Sequence, residues 1–221
     1  IVSLSAVSTE GAKANMQEDL NKGFNTLLKR TEDAWNSQLA IFNAQGNGDQ
    51  MAMFYTSLYH TMINPSVYQD VDGNYRGLDH SIHQNKSNFK NYTIFSLWDT
   101  YRAEHPLMNI INPKAAKDMA ISMLHHAEQS AHHILPVWSH MGNENWCMMG
   151  YHGVSAVADA FMNNITHLSG DYPAEKAFQY LYNSSNLDYY LFTDIYKKMG
   201  YVPFDKSIVG VSVTLENAYE D

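Results

Sequence analysis

One cysteine, Cys147, occurs in 221 residues. That excludes an internal disulfide and every metal site built on paired cysteines. Charge is also short: Asp, Glu, Lys and Arg make up 17%, where about 25% is usual. Cations are the scarcer sign, 14 Lys and Arg against 23 Asp and Glu, for a net charge of −9. So few cations give no footprint for nucleic acid or for an anionic membrane surface. No apolar run approaches the roughly 18 residues of a membrane-spanning helix. There is no glycine-rich phosphate loop and no G-x-S-x-G elbow. Nor does any repeat recur at a period of about 30–45 residues, which counts against a helical solenoid.

Aromatics fill part of the gap: 9 Phe, 4 Trp and 15 Tyr, 13% of the chain, within an apolar total of 45%. This is the composition of a folded domain with a sizeable core. Residues 1–9 alternate as one β-strand with no sheet of its own. Leu215, Ala218 and Tyr219 open a helix at the other end. An unfinished element at each end is the expected mark of a piece of a longer protein. Between them helical spacing predominates, over 10–45, 51–62, 94–111, 113–135, 148–166, 174–184 and 187–199. Within 113–135, Ala116, Met119, Met123, Ala127, Ala131 and Ile134 form a core-facing stripe. Pro113 suits a first turn and Gly200 a C-terminal stop. Residues 66–92 differ: Asp72-Gly73-Asn74 and Asn85-Lys86-Ser87 are turn signals among β-formers, which predicts a long loop holding a short hairpin. The expected fold class is all-α, an array of helical hairpins with one β-containing insertion. Four Asn-x-Ser/Thr sequons, at Asn85, Asn91, Asn164 and Asn183, are expected to be mostly accidental in so Asn- and Ser-rich a chain.

Three segments could carry chemistry. The first is His125-His126-Ala-Glu128-Gln-Ser-Ala-His132-His133. On a continuous helix Glu128 and His132 share a face with His125, a possible zinc site by spacing. These histidines also lie off the apolar stripe, as a solvated face would. The second is Ser96-Leu-Trp98-Asp99-Thr-Tyr-Arg102. Trp98 and Arg102 are i, i+4, and Asp99 and Arg102 are i, i+3. An indole offers a flat wall to a pyranose ring, and a carboxylate accepts from two neighbouring hydroxyls; a core Trp beside a structural Asp–Arg pair has the same pattern. The third runs from Gly142-Asn-Glu144-Asn145-Trp146-Cys147 to His152. There His152, Ser155, Asp159 and Asn163 form a polar stripe without long charged residues, suited either to a wet internal cavity or to a quiet surface. Short polar residues among aromatics, at low charge, describe a neutral polyol site better than a phosphate site.

Six motifs in order then carry a resemblance over nearly the whole chain. They are Phe54-Tyr-Thr-Ser-Leu-Tyr-His60, Asp70-Val-Asp-Gly-Asn-Tyr-Arg-Gly77, Ser96-Leu-Trp-Asp-Thr100, Met149-Gly-Tyr-His152, Gly200-Tyr-Val-Pro203 and Thr214-Leu-Glu-Asn-Ala-Tyr-Glu-Asp221. The chain resembles glycoside hydrolase family 92, the calcium-dependent exo-acting α-mannosidases. The resemblance implies residues 1–9 at the end of an N-terminal β-sandwich, linker helices over 10–47, and the first half of an (α/α)6 barrel over 48–221. It implies removal of terminal α-linked mannose, commonly α-1,2, from N-glycans or mannan, with inversion, by a periplasmic or secreted enzyme. It places the general acid, the base and most calcium ligands beyond Asp221, so that no metal ligand and no catalytic carboxylate is assigned here and the 221 residues alone are expected to be inactive. What it assigns is a share of the sugar subsite: Trp98 and Asp99 first, then Arg102, Glu144, Asn145, Trp146, Cys147 and His152. Gly142-Asn-Glu144-Asn145 is similar to the family's acid-bearing segment but lacks its Pro and precedes Gly-Tyr-His, so Glu144 is not taken as the acid. A sugar-binding helical module without hydrolytic activity and a zinc enzyme using the histidine cluster are the rival readings.

Overall fold

The computed structural model describes residues 2–17, 19–85, 89–148, 150–163, 168–188, 192–203 and 205. Ten helices and six short strands lie among them. α1 (Thr9–Gln17), α2 (Phe24–Leu39) and α3 (Gly48–His60) lead into β1 (Ser66–Val67), β2 (Asn74–Arg76), β3 (Ile82–Gln84) and β4 (Tyr92–Thr93). α4 (Leu97–Thr100), α5 (Glu104–Ile111) and α6 (Pro113–Gln129) follow, then β5 (Ser139–His140) and β6 (Asn143–Glu144). α7 (Gly153–Met162), α8 (Leu168–Asp171), α9 (Ala174–Asn186) and α10 (Thr193–Met199) complete the order. No described helix is long and apolar enough to cross a membrane.

The first of its two turn signals shapes the insertion; Lys86 and Ser87 of the second lie outside the described residues. Gly73 takes φ +84° at the bend before β2, and β2 pairs antiparallel with β3, Tyr75 opposite His83. β1 and β4 close the base of the loop, Ser66 opposite Thr93. α3 is started by a capping box: Asn47 Oδ1 accepts from the Gln50 amide at 3.0 Å and Gln50 Oε1 from the Asn47 amide at 3.1 Å. Gly200 ends α10 in the left-handed region, its amide on the Tyr196 carbonyl at 2.7 Å.

α6 is the hub. Its predicted stripe is buried at Ala116, Met119, Met123 and Ala127. One side of α6 packs with Phe95, Leu97, Val157, Tyr172 and Tyr180. The other packs with Leu58, Met108, Ile111 and Leu168. α1 and α2, by contrast, bury no residue. Large apolar side chains stay on the surface, among them Phe24 at 77%, Ile110 at 79% and Phe178 at 67% exposure.

Several boundaries differ from those the sequence suggests. Residues 2–8 form no strand; without a ladder partner among the described residues their polar groups are met by side chains. Ser5 Oγ accepts the Val7 and Ser8 amides at 3.0 and 3.2 Å, and Asn15 Nδ2 donates to the Leu4 carbonyl at 2.9 Å. The stretch 10–45 is two helices, parted at Asp19–Gly23. The stretch 94–111 breaks after Thr100. Pro106 has no amide to give the Arg102 carbonyl, so the chain restarts at Glu104 and seats Pro106 in a first turn, where that amide would be idle. α6 stops at Gln129 because Ser130 turns extended, and its Oγ accepts the Ile134 amide at 3.2 Å. α7 starts at Gly153, not 148, and α10 at Thr193. The helix expected at 214–221 lies outside the described residues, as do residue 1 and the sequon residue Asn164.

Candidate functional site

The strand-to-helix passage from β4 into α4 presents Trp98 and Asp99. Leu97 is the anchor, 1% exposed, which leaves Trp98 half-buried and Asp99 on the surface. The Ser96 hydroxyl donates to Asp99 Oδ2, holding the carboxylate in place with its other oxygen clear of that bond. α4 ends at Thr100, so Arg102 is not carried on its face as the i, i+4 spacing suggested. Its Nε donates instead to the Tyr101 hydroxyl at 2.5 Å, and its guanidinium lies 5.1 Å from the Tyr101 ring centre.

Tyr101 joins this segment to the third candidate. Its ring stacks on His152 with centroids 3.8 Å apart and planes 11° apart. His152 is buried at 8% exposure, and Gly150 makes room for it. A Cβ on Gly150 would sit 2.1 Å from His152 Nε2, on a backbone already at φ +75°. The Gly-Tyr-His motif is thus a steric requirement of the stack.

Glu144 has an occupied carboxylate. Its Oε1 accepts from the amides of Trp138 and Trp146, at 2.9 and 3.0 Å, and its Oε2 from the Val137 amide at 2.9 Å. Three amides converging on one anion fold the loop 137–146 around it. The Asn145 amide adds a bond to the Trp138 carbonyl at 3.2 Å. Trp146 and Cys147 are exposed beyond this clamp, Trp146 with φ +54°. This loop reaches the first segment through β5: the amides of Ile94 and Phe95 both donate to the Ser139 carbonyl at 3.1 Å.

Glu104 was not singled out by the sequence. Burial, and then the nearby charge of Asp99, push its carboxyl up to about 7, and its Oε1 is buried without a hydrogen-bond partner. A carboxyl that keeps a proton near neutrality can donate a hydrogen bond beside an accepting Asp99. No spacing in the sequence marks it, because Glu104 falls inside the continuous helix expected over 94–111 and its burial arises only in the folded chain.

The histidine cluster is scattered. His126 is buried, its Nδ1 3.1 Å from Ser139 Oγ; burial, then the charge of His125, hold its imidazole down to about 3 and hence neutral. His125 stacks on Phe89 at 5.2 Å and meets Glu128 at 3.3 Å. His132 and His133 lie beyond the end of α6 and are exposed. The face that zinc would need does not form, because the helix ends first. The stripe on α7 is divided as well. Asp159 Oδ2 accepts from Asn109 Nδ2 at 2.6 Å, tying α5 to α7, whereas Ser155 and Asn163 are exposed. Among the described residues no three His, Cys, Asp or Glu side chains converge to hold a metal. No calcium ligand is assigned among them, and no step below passes through that ion.

The comparisons agree with the six motifs. The family model for the glycosyl hydrolase family 92 catalytic domain matches residues 11–221. The GH92 α-mannosidase BT3965 of Bacteroides thetaiotaomicron superposes with a TM-score of 0.89 at 42% identity, over 98% of this chain and 29% of that one. Its complex with mannoimidazole gives the same TM-score and identity, over 98% and 28%. The GH92 inverting mannosidase BT2199 of Bacteroides thetaiotaomicron VPI-5482 gives 0.79 at 26% identity, over 92% and 28%. No curated protein matches the chain. The chain spans under a third of the length of these solved structures. With its family model matched from residue 11 to residue 221, the chain belongs to glycoside hydrolase family 92.

Proposed function

We propose that the intact protein is an exo-acting α-mannosidase that removes terminal mannose, commonly α-1,2-linked, from N-glycans or mannan, with inversion, outside the cytoplasm. The observation that carries this is the agreement over 98% of the chain with an α-mannosidase whose solved structures include a mannoimidazole complex. In this reading residues 1–9 end a β-sandwich, 10–47 are linker helices, and 48–221 are half of an (α/α)6 barrel. The uncovered apolar side chains of α2, α5 and α9 would then meet the other part of that barrel.

The chemistry assigned to these residues is sugar binding. Asp99 accepts from mannose hydroxyls. The exposed part of Trp98 walls the C–H face of the ring. Arg102 and the loop carrying Glu144, Asn145, Trp146 and Cys147 border the same face, and His152 supports it through Tyr101. Inversion needs an acid to protonate the leaving oxygen and a base to activate water, their carboxyls about 6.5–9.5 Å apart. Glu144, spent on three amides, is assigned neither role. That occupied carboxylate is also what favours the second reading, a sugar-binding helical module without hydrolysis.

The test is turnover of an aryl α-mannoside by the intact protein and by Asp99→Ala. Hydrolysis that falls by about a hundredfold or more in kcat/KM on losing Asp99 supports the enzyme. Mannose binding without turnover supports the module, and neither binding nor turnover refutes both.

A further inference from the structure

We propose that His126 and Ser139 are positioning residues for the face made by Trp98 and Asp99, a role that rests on the sugar-binding reading of that face. Ile94 lies two residues before Ser96 and has φ +65°. A β-branched residue there is a strained exception, kept only where the surroundings over-determine it. They do so here. The left-handed turn lets two successive amides, Ile94 and Phe95, reach one acceptor, the Ser139 carbonyl, at 3.1 Å each. Ser139 is fully buried, and its hydroxyl is held by His126 Nδ1 at 3.1 Å. The His126 ring also meets Phe95 edge-on at 5.7 Å. One turn earlier on α6, Ser122 Oγ accepts the Tyr92 amide at 2.9 Å and donates to the Asp118 carbonyl at 2.7 Å. From the hairpin side the Met141 amide donates to Thr93 Oγ1 at 2.7 Å.

The segment 92–95 is therefore gripped from α6 and from the β5–β6 hairpin, immediately before α4 begins. The same hairpin continues into the Glu144 loop. One device thus aligns both segments of the candidate site. Its polar atoms sit among Phe95, Leu97 and Leu124, each at most 1% exposed. An apolar core would be simpler there, and a buried polar network selects a single geometry.

Three variants of the intact protein test this: His126→Leu, which keeps bulk but loses the bond; His126→Asn, whose side chain can return a polar atom near Nδ1; and Ser139→Ala, which removes the hydroxyl that His126 holds. The readouts are the Kd for mannoimidazole, kcat and KM on an aryl α-mannoside, and amide hydrogen exchange. His126→Leu and Ser139→Ala are expected to weaken mannoimidazole roughly tenfold to a hundredfold, as a displaced site does, and His126→Asn to recover most of that. Exchange at Trp98, Asp99, Asn145 and Trp146 should quicken together. Binding within twofold of wild type in folded Leu and Ala variants overturns the proposal, and so does exchange quickened only around residue 126. Wild-type protein that binds no mannoimidazole sinks the sugar reading and this role with it.

Discussion

Replacing Glu144 by Gln separates two accounts of the residue that most resembles a family acid. The carboxylate accepts three amides, two at Oε1 and one at Oε2. The Gln oxygen can keep the pair from Trp138 and Trp146, without the strengthening that a full charge gives. Its NH2 then faces the Val137 amide, donor against donor, and Val137 is only 4% exposed. A buried donor left unpaired costs about 1–3 kcal/mol, and weakening two charge-assisted bonds adds about 1 more. The loop should therefore lose about 2–4 kcal/mol of local stability, which is a rise of roughly 30-fold to several hundredfold in the local opening constant. Hydrogen exchange at the Val137 and Trp138 amides reads this directly. Unchanged exchange together with abolished hydrolysis would refute the clamp and make Glu144 the acid.

Four further outcomes follow from buried groups. The Glu104 carboxyl is pushed up to about 7 from 4.5, so the fold favours its protonated form, and stability should decline as pH rises from 4.5 through 7. Glu104→Gln should remove that decline and stabilise the protein at pH 8 by about 1 kcal/mol after allowance for solvent screening, as urea titrations across pH would show; an unchanged slope would contradict it. His105 and His126 run the other way, held down by burial to about 4 and about 3. Their contribution is complete above 6.5 and is lost as pH falls below it, so His105→Phe should soften the acid limb of the same titrations. Gly150→Ala should cost on the order of 2 kcal/mol through left-handed strain and displacement of His152, visible as a lower urea midpoint and a loosened Tyr101–His152 stack. The sequon at Asn91 should stay bare in a glycosylating host, because Asn91 is fully buried with its Nδ2 on the Tyr68 carbonyl at 2.9 Å; a glycan found there by peptide mass spectrometry would show the strand misplaced.

The periodic parts of the fold were legible because burial and periodicity are the same fact on a helix. The α6 stripe, the turn at Gly73 and the stop at Gly200 follow from local spacing and backbone preference. The failures share a cause too. The spacing over 94–111 reads as one helix, although the missing amide of Pro106 splits α4 from α5 and detaches Arg102 from that face. The histidines share a face only on a helix running to residue 135, whereas α6 ends at Gln129, nearly two turns earlier. At the candidate site, Trp98 and Asp99 are singled out by side-chain chemistry together with the family resemblance. The Tyr101–His152 stack, the Glu144 clamp and the double acceptor at Ser139 are not, because each depends on residues that meet only in the folded chain.

Asp99 and Trp98 are the residues proposed to bind mannose. Calorimetric titration of mannoimidazole into the intact protein and its Asp99→Asn variant tests that role most directly. A site that uses the carboxylate as a hydrogen-bond acceptor should lose about 1.5–3 kcal/mol, a Kd raised roughly tenfold to a hundredfold or more, with the fold unchanged. Equal affinity in the two proteins would contradict the account.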